Sequence, residues 1–289
     1  MPKQVFTVLL LWTLAIGNEA LAQESRPLAP KKKTDVEYQL KYQFTKGQTR
    51  RYNVKGALVL IDEDMEVHAK HTVIEKTGAY QGKTKSQKID LSSDKFESYL
   101  LKRGKKRAIK ETFNEVMKAP MSFFIKNSGQ VVQKSDSIDL KGAIFQPLAS
   151  VFSSMTRVPY DYLSLPAKPI KVGGTWSQTR TLKVLEKKLE GLFETKFSYV
   201  LKRLKQEGPH RFATIQFSTS TKVLDDKTAP LSFQIKESKG KGTIIFNTTL
   251  GQIESIYYSQ DCKLMLRKGE ETLKHRFSAK LEKPQLKKD

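Results

Sequence analysis

Residues Leu165 to Trp176 read Leu-Pro-Ala-Lys-Pro-Ile-Lys-Val-Gly-Gly-Thr-Trp, and the rest of the chain divides around them. Pro166 and Pro169 each fix φ and remove a backbone donor, while the Gly173-Gly174 pair allows a turn that other residues disfavour. Trp176 then opens a new apolar run. The stretch therefore predicts a hinge between two halves of the chain.

Strand-like alternation occurs on both sides of this stretch. Before it, residues 36–45 and 65–73 place apolar side chains at every second position, and after it the same pattern returns near residues 193–201, 213–217 and 253–266. A period of two indicates strands with one buried and one wet face, and the short turns between them indicate an antiparallel meander.

Glycine and small polar residues predict where these strands are interrupted. Asn127-Ser128-Gly129 predicts a tight hairpin, and the basic cluster from Lys102 to Lys110, broken by Gly104, predicts a hairpin tip or loop. Ser92-Ser93-Asp94 predicts another loop. Between the halves the period changes to three and four, which predicts an amphipathic helix of about three turns that ends before Pro159. Its apolar positions are Ile144, Phe145, Leu148, Val151, Phe152 and Met155.

Shared landmarks in the two halves indicate an internal duplication. Lys46-Gly47-Gln48-Thr49 matches Val172-Gly173-Gly174-Thr175, and the hairpin at Gly129 matches the turn at Gly251. The predicted fold class is mainly β, with antiparallel curved sheets in two similar halves joined by a short helix and a Pro/Gly linker. The predicted segments are a signal peptide (1–22), a basic flexible leader (23–35), the first β-rich half (36–142), the linking helix (143–164), the second β-rich half (165–282) and a basic tail (283–289).

The first residues are typical of a secretory signal. Lys3 precedes an apolar run from Val5 to Ile16, and Ala20-Leu21-Ala22 forms a small-x-small cleavage site that ends at Ala22. The apolar run is shorter than the roughly 20 residues of a membrane-spanning helix. The sequence therefore predicts a secreted or periplasmic protein with no transmembrane segment in the mature chain.

Three features of the chain together resemble a group of uncharacterised bacterial exported proteins, known as domains of unknown function. They are the predicted helix, the pattern Leu-Pro-x-x-Pro-x-x-Val-Gly-x-x-Trp, and a later set of Gly240, Gly242, Phe246 and Gly251. Gly174 stands where such proteins often carry Asp. The resemblance implies a secreted, β-rich fold in two parts. It supplies no catalytic residue.

Charge is the strongest functional signal in the sequence. The 289 residues include 52 Lys and Arg against 30 Asp and Glu, a net charge of +22, which attracts polyanions. The expected partners are an anionic polymer, a lipid or an envelope surface. Export and the lack of aromatic residues among the basic ones argue against nucleic acid. The candidate polyanion-binding residues are Lys102, Arg103, Lys105, Lys106, Arg107, Lys202, Arg203, Lys205, Lys239 and Lys241.

A search for catalytic chemistry finds no motif, so the sequence predicts no catalytic, cofactor-binding or metal-binding residues. His68 and His71 are an odd number apart, so a strand sends them to opposite faces and away from a shared metal. The acidic run from Asp62 to Glu66 lacks the spacing of a calcium loop. Cys262 is the single cysteine, which excludes an internal disulfide, and its strand parity predicts a small buried hydrophobe.

The leading hypothesis is an exported non-enzymatic β-rich protein that binds an anionic envelope component or a lipid-like ligand. A cavity under the helix of residues 144–155 would favour a lipid carrier, and a packed core would favour a binding surface. The alternatives are a secreted hydrolase that uses loop carboxylates, and a nucleic-acid-binding protein.

Overall fold

One antiparallel sheet contains every strand of the described residues. The computed structural model describes residues 36–62, 64–108, 120–135, 160, 162–186, 189–223, 233–266 and 269–282, and this part of the chain contains no helix. The predicted mainly β, antiparallel class is confirmed. The strands are β1 (Thr49–Leu60), β2 (Met65–Gln81), β3 (Ser86–Lys102), β4 (Lys105–Ala108), β5 (Met121–Ile125), β6 (Val131–Ser135), β7 (Thr175–Glu186), β8 (Leu189–Glu207), β9 (His210–Val223), β10 (Phe233–Asn247), β11 (Gln252–Leu266) and β12 (Gly269–Leu281).

The strand order places the first and last strands side by side. The sheet runs β6-β5-β3-β2-β1-β12-β11-β10-β9-β8-β7, with β4 paired to β3. β1 pairs with β12 from Tyr52↔Leu281 to Leu60↔Leu273. The two predicted halves therefore share a single sheet, and their duplication stays a prediction.

The sheet curls strongly, since residues near its two ends contact the same residue, Tyr160. The ring of Phe123 on β5 lies 5.9 Å from that of Tyr160, and Arg180 Nη2 on β7 donates to the Tyr160 carbonyl over 2.7 Å. In a flat sheet the nine strand spacings between β5 and β7 would measure about 43 Å. We call the buried side of the curl the inner face and the other side the outer face.

Alternation along the strands explains the core. Met65, Val67, Ala69, His71 and Val73 on β2 are all buried, as predicted for one face of a strand. The same holds on β8, β9 and β11 for a second set, which consists of Phe197, Tyr199, Leu201, Ala213, Ile215, Phe217, Ile256, Tyr258 and Cys262. Burial raises the pKa of the Cys262 thiol to about 11, so it remains a neutral buried group.

The predicted strand at residues 36–45 is wrong, although its alternation is real. Leu40 and Tyr42 are buried, yet this segment is extended chain with a single bridge between Tyr38 and Ile170. Its backbone bonds go to turns, because Tyr42 N donates to Asn127 O over 2.8 Å and Gln43 N donates to Gly251 O over 3.0 Å. Period-two burial thus arises from packing against neighbouring turns and side chains, without a ladder of strand hydrogen bonds.

The predicted loop at Ser92-Ser93-Asp94 is also wrong, since these residues lie within β3. The register between β2 and β3 shifts beside them, where Lys95 has φ 51° and its amide donates to Asp94 Oδ1 over 2.8 Å. The polar cluster therefore marks a β-bulge in a long strand. The other two predictions of this kind are confirmed, with hairpin turns at Arg103-Gly104 and at residues 127–129.

The stretch around Leu165 lies between β6 and β7 and packs on the inner face. We call residues 160 and 162–170 the strap. Four side-chain donors hold its carbonyls: Arg180 at Tyr160 O (2.7 Å), Tyr199 at Tyr162 O (3.0 Å), Tyr42 at Leu163 O (3.2 Å) and Trp176 Nε1 at Ser164 O (2.7 Å). The predicted helix at 144–155 falls outside the described residues, while residues 160 and 162–164 are turn and extended chain.

A buried ion pair ties the strap to the sheet. Arg50 Nη1 lies 3.0 Å from Glu75 Oε1 and 3.5 Å from the Tyr160 hydroxyl, and Arg50 Nη2 donates to Gln43 O over 2.8 Å. Burial raises the pKa of the Glu75 carboxyl, and the guanidinium of Arg50 opposes that rise. The pair therefore joins β1, β2, the strap and the segment before β1.

A basic groove on the outer face

A groove of about 690 Å³ opens on the outer face of the central strands. The lining residues come from β1, β2, β9, β10, β11 and β12, and ten of them point away from the core by strand parity, while Gly56, Phe217, Gly242, Tyr258 and Phe277 belong to the buried face. The ten outward residues are Lys55, Ala57, His68, Gln216, Lys241, Thr243, Tyr257, Ser259, Arg276 and Ser278. The groove thus exists only because β1 pairs with β12 and brings the two ends of the chain together.

Side-chain size shapes the groove. Ser259 on β11 lies opposite Arg276 on β12, which in turn lies opposite Ala57 on β1. In the next row Tyr257 lies opposite Ser278, and Ser278 lies opposite Lys55. Small side chains therefore form the floor, and long cationic and aromatic ones rise beside it.

Three cations give the groove its charge. Lys55, Lys241 and Arg276 line it, and no carboxylate is among the described residues that do so. None of the three forms an ion pair with another residue in the described ranges. Other basic side chains on the same sheet are neutralised by a neighbour, since Lys205 Nζ lies 2.8 Å from Glu207 Oε1 and Lys239 Nζ lies 2.5 Å from Glu237 Oε1. The groove is therefore a local concentration of positive charge.

An aromatic stack lies beside His68, at the edge of the groove. The His68 ring stacks on Tyr99 with centroids 4.8 Å apart and planes 11° apart, and Lys106 Nζ lies 4.5 Å from the centre of the Tyr99 ring. His68 Nε2 also lies 2.8 Å from Glu66 Oε2. His71 is buried on the inner face, so the predicted separation of the two histidines to opposite faces is confirmed.

The ten predicted cations occupy three places. The first place is the β3–β4 hairpin turn and its flanks, with Lys102, Arg103, Lys105, Lys106 and Arg107. The second is β8, with Lys202, Arg203 and Lys205, where the register shifts between Leu201 and Arg203. The third is β10, with Lys239 and Lys241. Of these ten, Lys241 alone lines the groove, and Lys106 contacts the Tyr99 ring that stacks on His68. Their role in polyanion binding stays a prediction.

The candidate residues predicted from the sequence did not include Lys55, Tyr257 or Arg276, although Arg276 forms one of the basic clusters of the sequence with Lys274. A signal was available for Tyr257, because Ile256 and Tyr258 on either side were assigned to the buried face, which turns Tyr257 outward. For the cations the signal was incomplete, because parity shows which face a residue occupies and does not show which strands are neighbours.

The inner face is packed where the strap crosses it. Tyr162 stacks on Phe277 with centroids 4.9 Å apart and lies 5.1 Å from Tyr258. Phe217 and Tyr258 stack over β10, with centroids 5.6 Å apart, because Gly240 and Gly242 leave room for their rings. The glycines of the resemblance are thus packing positions.

The described residues provide little for the catalytic alternatives. Glu75 carries the raised pKa that a general acid would need, but it is fully buried against Arg50 and has no access to a cleft. Within the described ranges, no three His, Cys, Asp or Glu side chains are grouped so that they could hold a metal ion. No helix in this part of the chain has the length and apolar character to cross a membrane.

Comparison with known proteins finds similarity in fold. No protein-family model and no curated protein matches this chain. The structure of lipovitellin, solved for its lipid–protein interactions, matches with a TM-score of 0.50 and 12% identity over 83% of this chain and 26% of that one. The chain thus spans about a quarter of the lipovitellin length, and the likeness shows a shared fold. A Bacteroides fragilis protein with a YmcC-like fold, described as exported, matches with a TM-score of 0.28 and 8% identity over 85% of this chain and 99% of that one.

Proposed function

We propose that this chain is an exported, non-enzymatic binding protein whose outer face binds an anionic envelope polymer or lipid headgroup. The observation that carries the proposal is the groove with three cations that form no ion pair in the described ranges and no lining carboxylate. The net charge of +22 adds a long-range field that concentrates anionic partners at the surface. Export is proposed from the predicted signal that ends at Ala22.

The energetics favour a ligand with many charges. An exposed ion pair contributes about 0.2–1 kcal/mol, so three contribute at most about 3 kcal/mol. A dissociation constant of 1 mM corresponds to about 4.1 kcal/mol, so a small single anion would bind more weakly than that. A polymer or an anionic surface presents repeated charges and gains avidity without new contacts.

Retention on heparin and on phosphatidylglycerol vesicles at rising salt tests the proposal. We expect the triple variant Lys55→Gln, Lys241→Gln, Arg276→Gln to elute at clearly lower salt than the parent chain. The matched control is Lys41→Gln, Lys46→Gln, Lys83→Gln, which removes the same charge from exposed turn and segment positions away from the groove. If the two triple variants elute at equally lowered salt, binding depends on the net charge alone and not on the groove. Passage of the parent chain through both matrices at low salt would refute the proposal.

A lipid-like ligand is the second candidate, because the inner face is apolar and the fold resembles part of lipovitellin. The strap packs against part of the inner face, and for that part it favours ligand binding on the outer face over a carrier that encloses a lipid. Solvent extraction of the purified protein followed by lipid mass spectrometry separates the two. A stoichiometric lipid retained by both triple variants would support the carrier.

A further inference from the structure

Tyr257 is an exposed aromatic side chain inside the basic groove. Its side chain is 59% exposed, whereas its neighbour Tyr258 is 8% exposed in the core. Strand parity accounts for the difference, since consecutive residues point to opposite faces. The ring of Tyr257 is therefore accessible to a ligand in the groove.

The strand register surrounds Tyr257 with hydroxyls and cations. Thr243 and Ser278 lie directly opposite it on the two neighbouring strands. Lys241 and Arg276 lie diagonally, about 7–8 Å away by sheet geometry. Lys55 lies two strands away, about 10 Å in the same row.

This combination fits an acidic sugar. One face of a sugar ring carries C–H groups with positive edges, and these pack on the negative face of an aromatic ring. The sugar hydroxyls can form hydrogen bonds with Thr243 and Ser278, and a carboxylate or sulfate group can form an ion pair with Lys241 or Arg276. A bilayer is flat and would meet the protruding cations before it reached the groove floor.

We infer that the groove is a subsite for an acidic polysaccharide, in which Tyr257 stacks on a sugar ring while Lys55, Lys241 and Arg276 pair with its anionic groups. The inference rests on the proposed function and assigns its ligand class and its central residue.

Calorimetric titration with a heparin-derived tetrasaccharide and with tetragalacturonate tests this subsite. We expect Tyr257→Ala to weaken binding about tenfold, the scale of one lost stacking contact, while Tyr257→Phe keeps the ring and the affinity. Tyr80→Ala is the matched control, because Tyr80 is 61% exposed at the end of β2 outside the groove. A neutral dextran tetrasaccharide is expected not to bind.

The outcomes separate the subsite from the proposed function. If Tyr257→Ala keeps its affinity while the Lys55, Lys241 and Arg276 triple loses it, the stacking subsite is refuted and anion binding stands. If vesicles bind in a Tyr257-dependent way and the oligosaccharides do not, or if single-stranded DNA binds as tightly through Tyr257, the sugar assignment is refuted. If no anionic ligand binds the parent chain, both fail.

Discussion

His275 is a titratable side chain buried in the core at the centre of the sheet. It lies on the inner face of β12, with its ring centroid 5.7 Å from that of Tyr258, and its Nε2 has no hydrogen-bond partner among the described residues. Burial lowers its pKa from the ordinary 6.5 to about 4, because desolvation disfavours the charged form. The residue is therefore neutral in the folded chain at neutral pH.

Stability should fall as His275 becomes protonated. The folded pKa lies below the unfolded value, so the contribution to stability is complete above pH 6.5 and is lost as pH falls toward 4. The shift corresponds to roughly 3 kcal/mol at most. Urea unfolding of the parent chain and of His275→Leu at several pH values checks this, and we expect the parent to lose more stability than the variant between pH 7 and pH 4.5. Parallel pH profiles would contradict it.

Gly242 is required by the rings that pack across β10. A Cβ at this position would meet the Phe217 ring and, at 2.5 Å, the carbonyl oxygen of Tyr257. Since neither a packed ring nor a strand carbonyl can move freely, we expect Gly242→Ala to cost about 1–3 kcal/mol in the free energy of unfolding. Gly82→Ala is the control, because a Cβ there has no neighbour within 4 Å. Similar unfolding midpoints for the two variants would contradict the packing argument.

At the scale of elements, the strap is held by the side chains of its neighbours. The Tyr199 hydroxyl donates to Tyr162 O over 3.0 Å, and burial raises the pKa of Tyr199 to about 12, so the donor keeps its proton. The Tyr199 ring stacks on the Trp176 ring, with centroids 5.1 Å apart. Trp176 Nε1 in turn donates a hydrogen bond to the Ser164 carbonyl of the strap. The inner face thus satisfies strap carbonyls that a strand ladder would otherwise satisfy.

Removal of one such donor should loosen the strap. We expect Tyr199→Phe to cost about 1–3 kcal/mol, because the carbonyl of Tyr162 loses its partner while it stays buried. Hydrogen exchange of residues 162–170 together with urea unfolding measures the effect. Tyr257→Phe removes a hydroxyl from the exposed outer face and should stay within about 0.5 kcal/mol of the parent. Unchanged exchange in Tyr199→Phe would show that the hydrogen bond does not hold the strap.

Local elements were predictable, and contacts between distant elements were not. Alternation identified the buried face of β2, β8, β9 and β11, and glycine identified the hairpin at Gly129, because these signals come from adjacent residues. The same alternation wrongly predicted a strand around Tyr42, because an extended segment that packs on the core buries every second side chain just as a strand does. The Arg50–Glu75 pair and the groove at Lys55 and Arg276 depend on strand order, which local patterns do not encode.

At the scale of the molecule, β1 and β12 make the sheet continuous. Apart from Val36, both predicted halves fall within one compact unit, Glu37–Asp289, and the division into two similar halves stays a prediction. The groove, its three cations and Tyr257 draw on strands from both ends of the chain. Binding and folding should therefore be lost together when this central pairing is cut.

Expression of residues 36–142 and 165–282 as separate fragments tests that dependence. Each fragment would expose one long edge, β1 in the first and β12 in the second, and each would lack the strap residues Tyr160 and Tyr162. Unpaired edges of this length template aggregation, so we expect neither fragment to give a cooperative thermal transition or dispersed amide resonances alone. Residues 36–282 as one chain are the control and should show both. A fragment that folds alone and elutes as a monomer would show that the halves are independent domains, and the central pair would then be an interface between them.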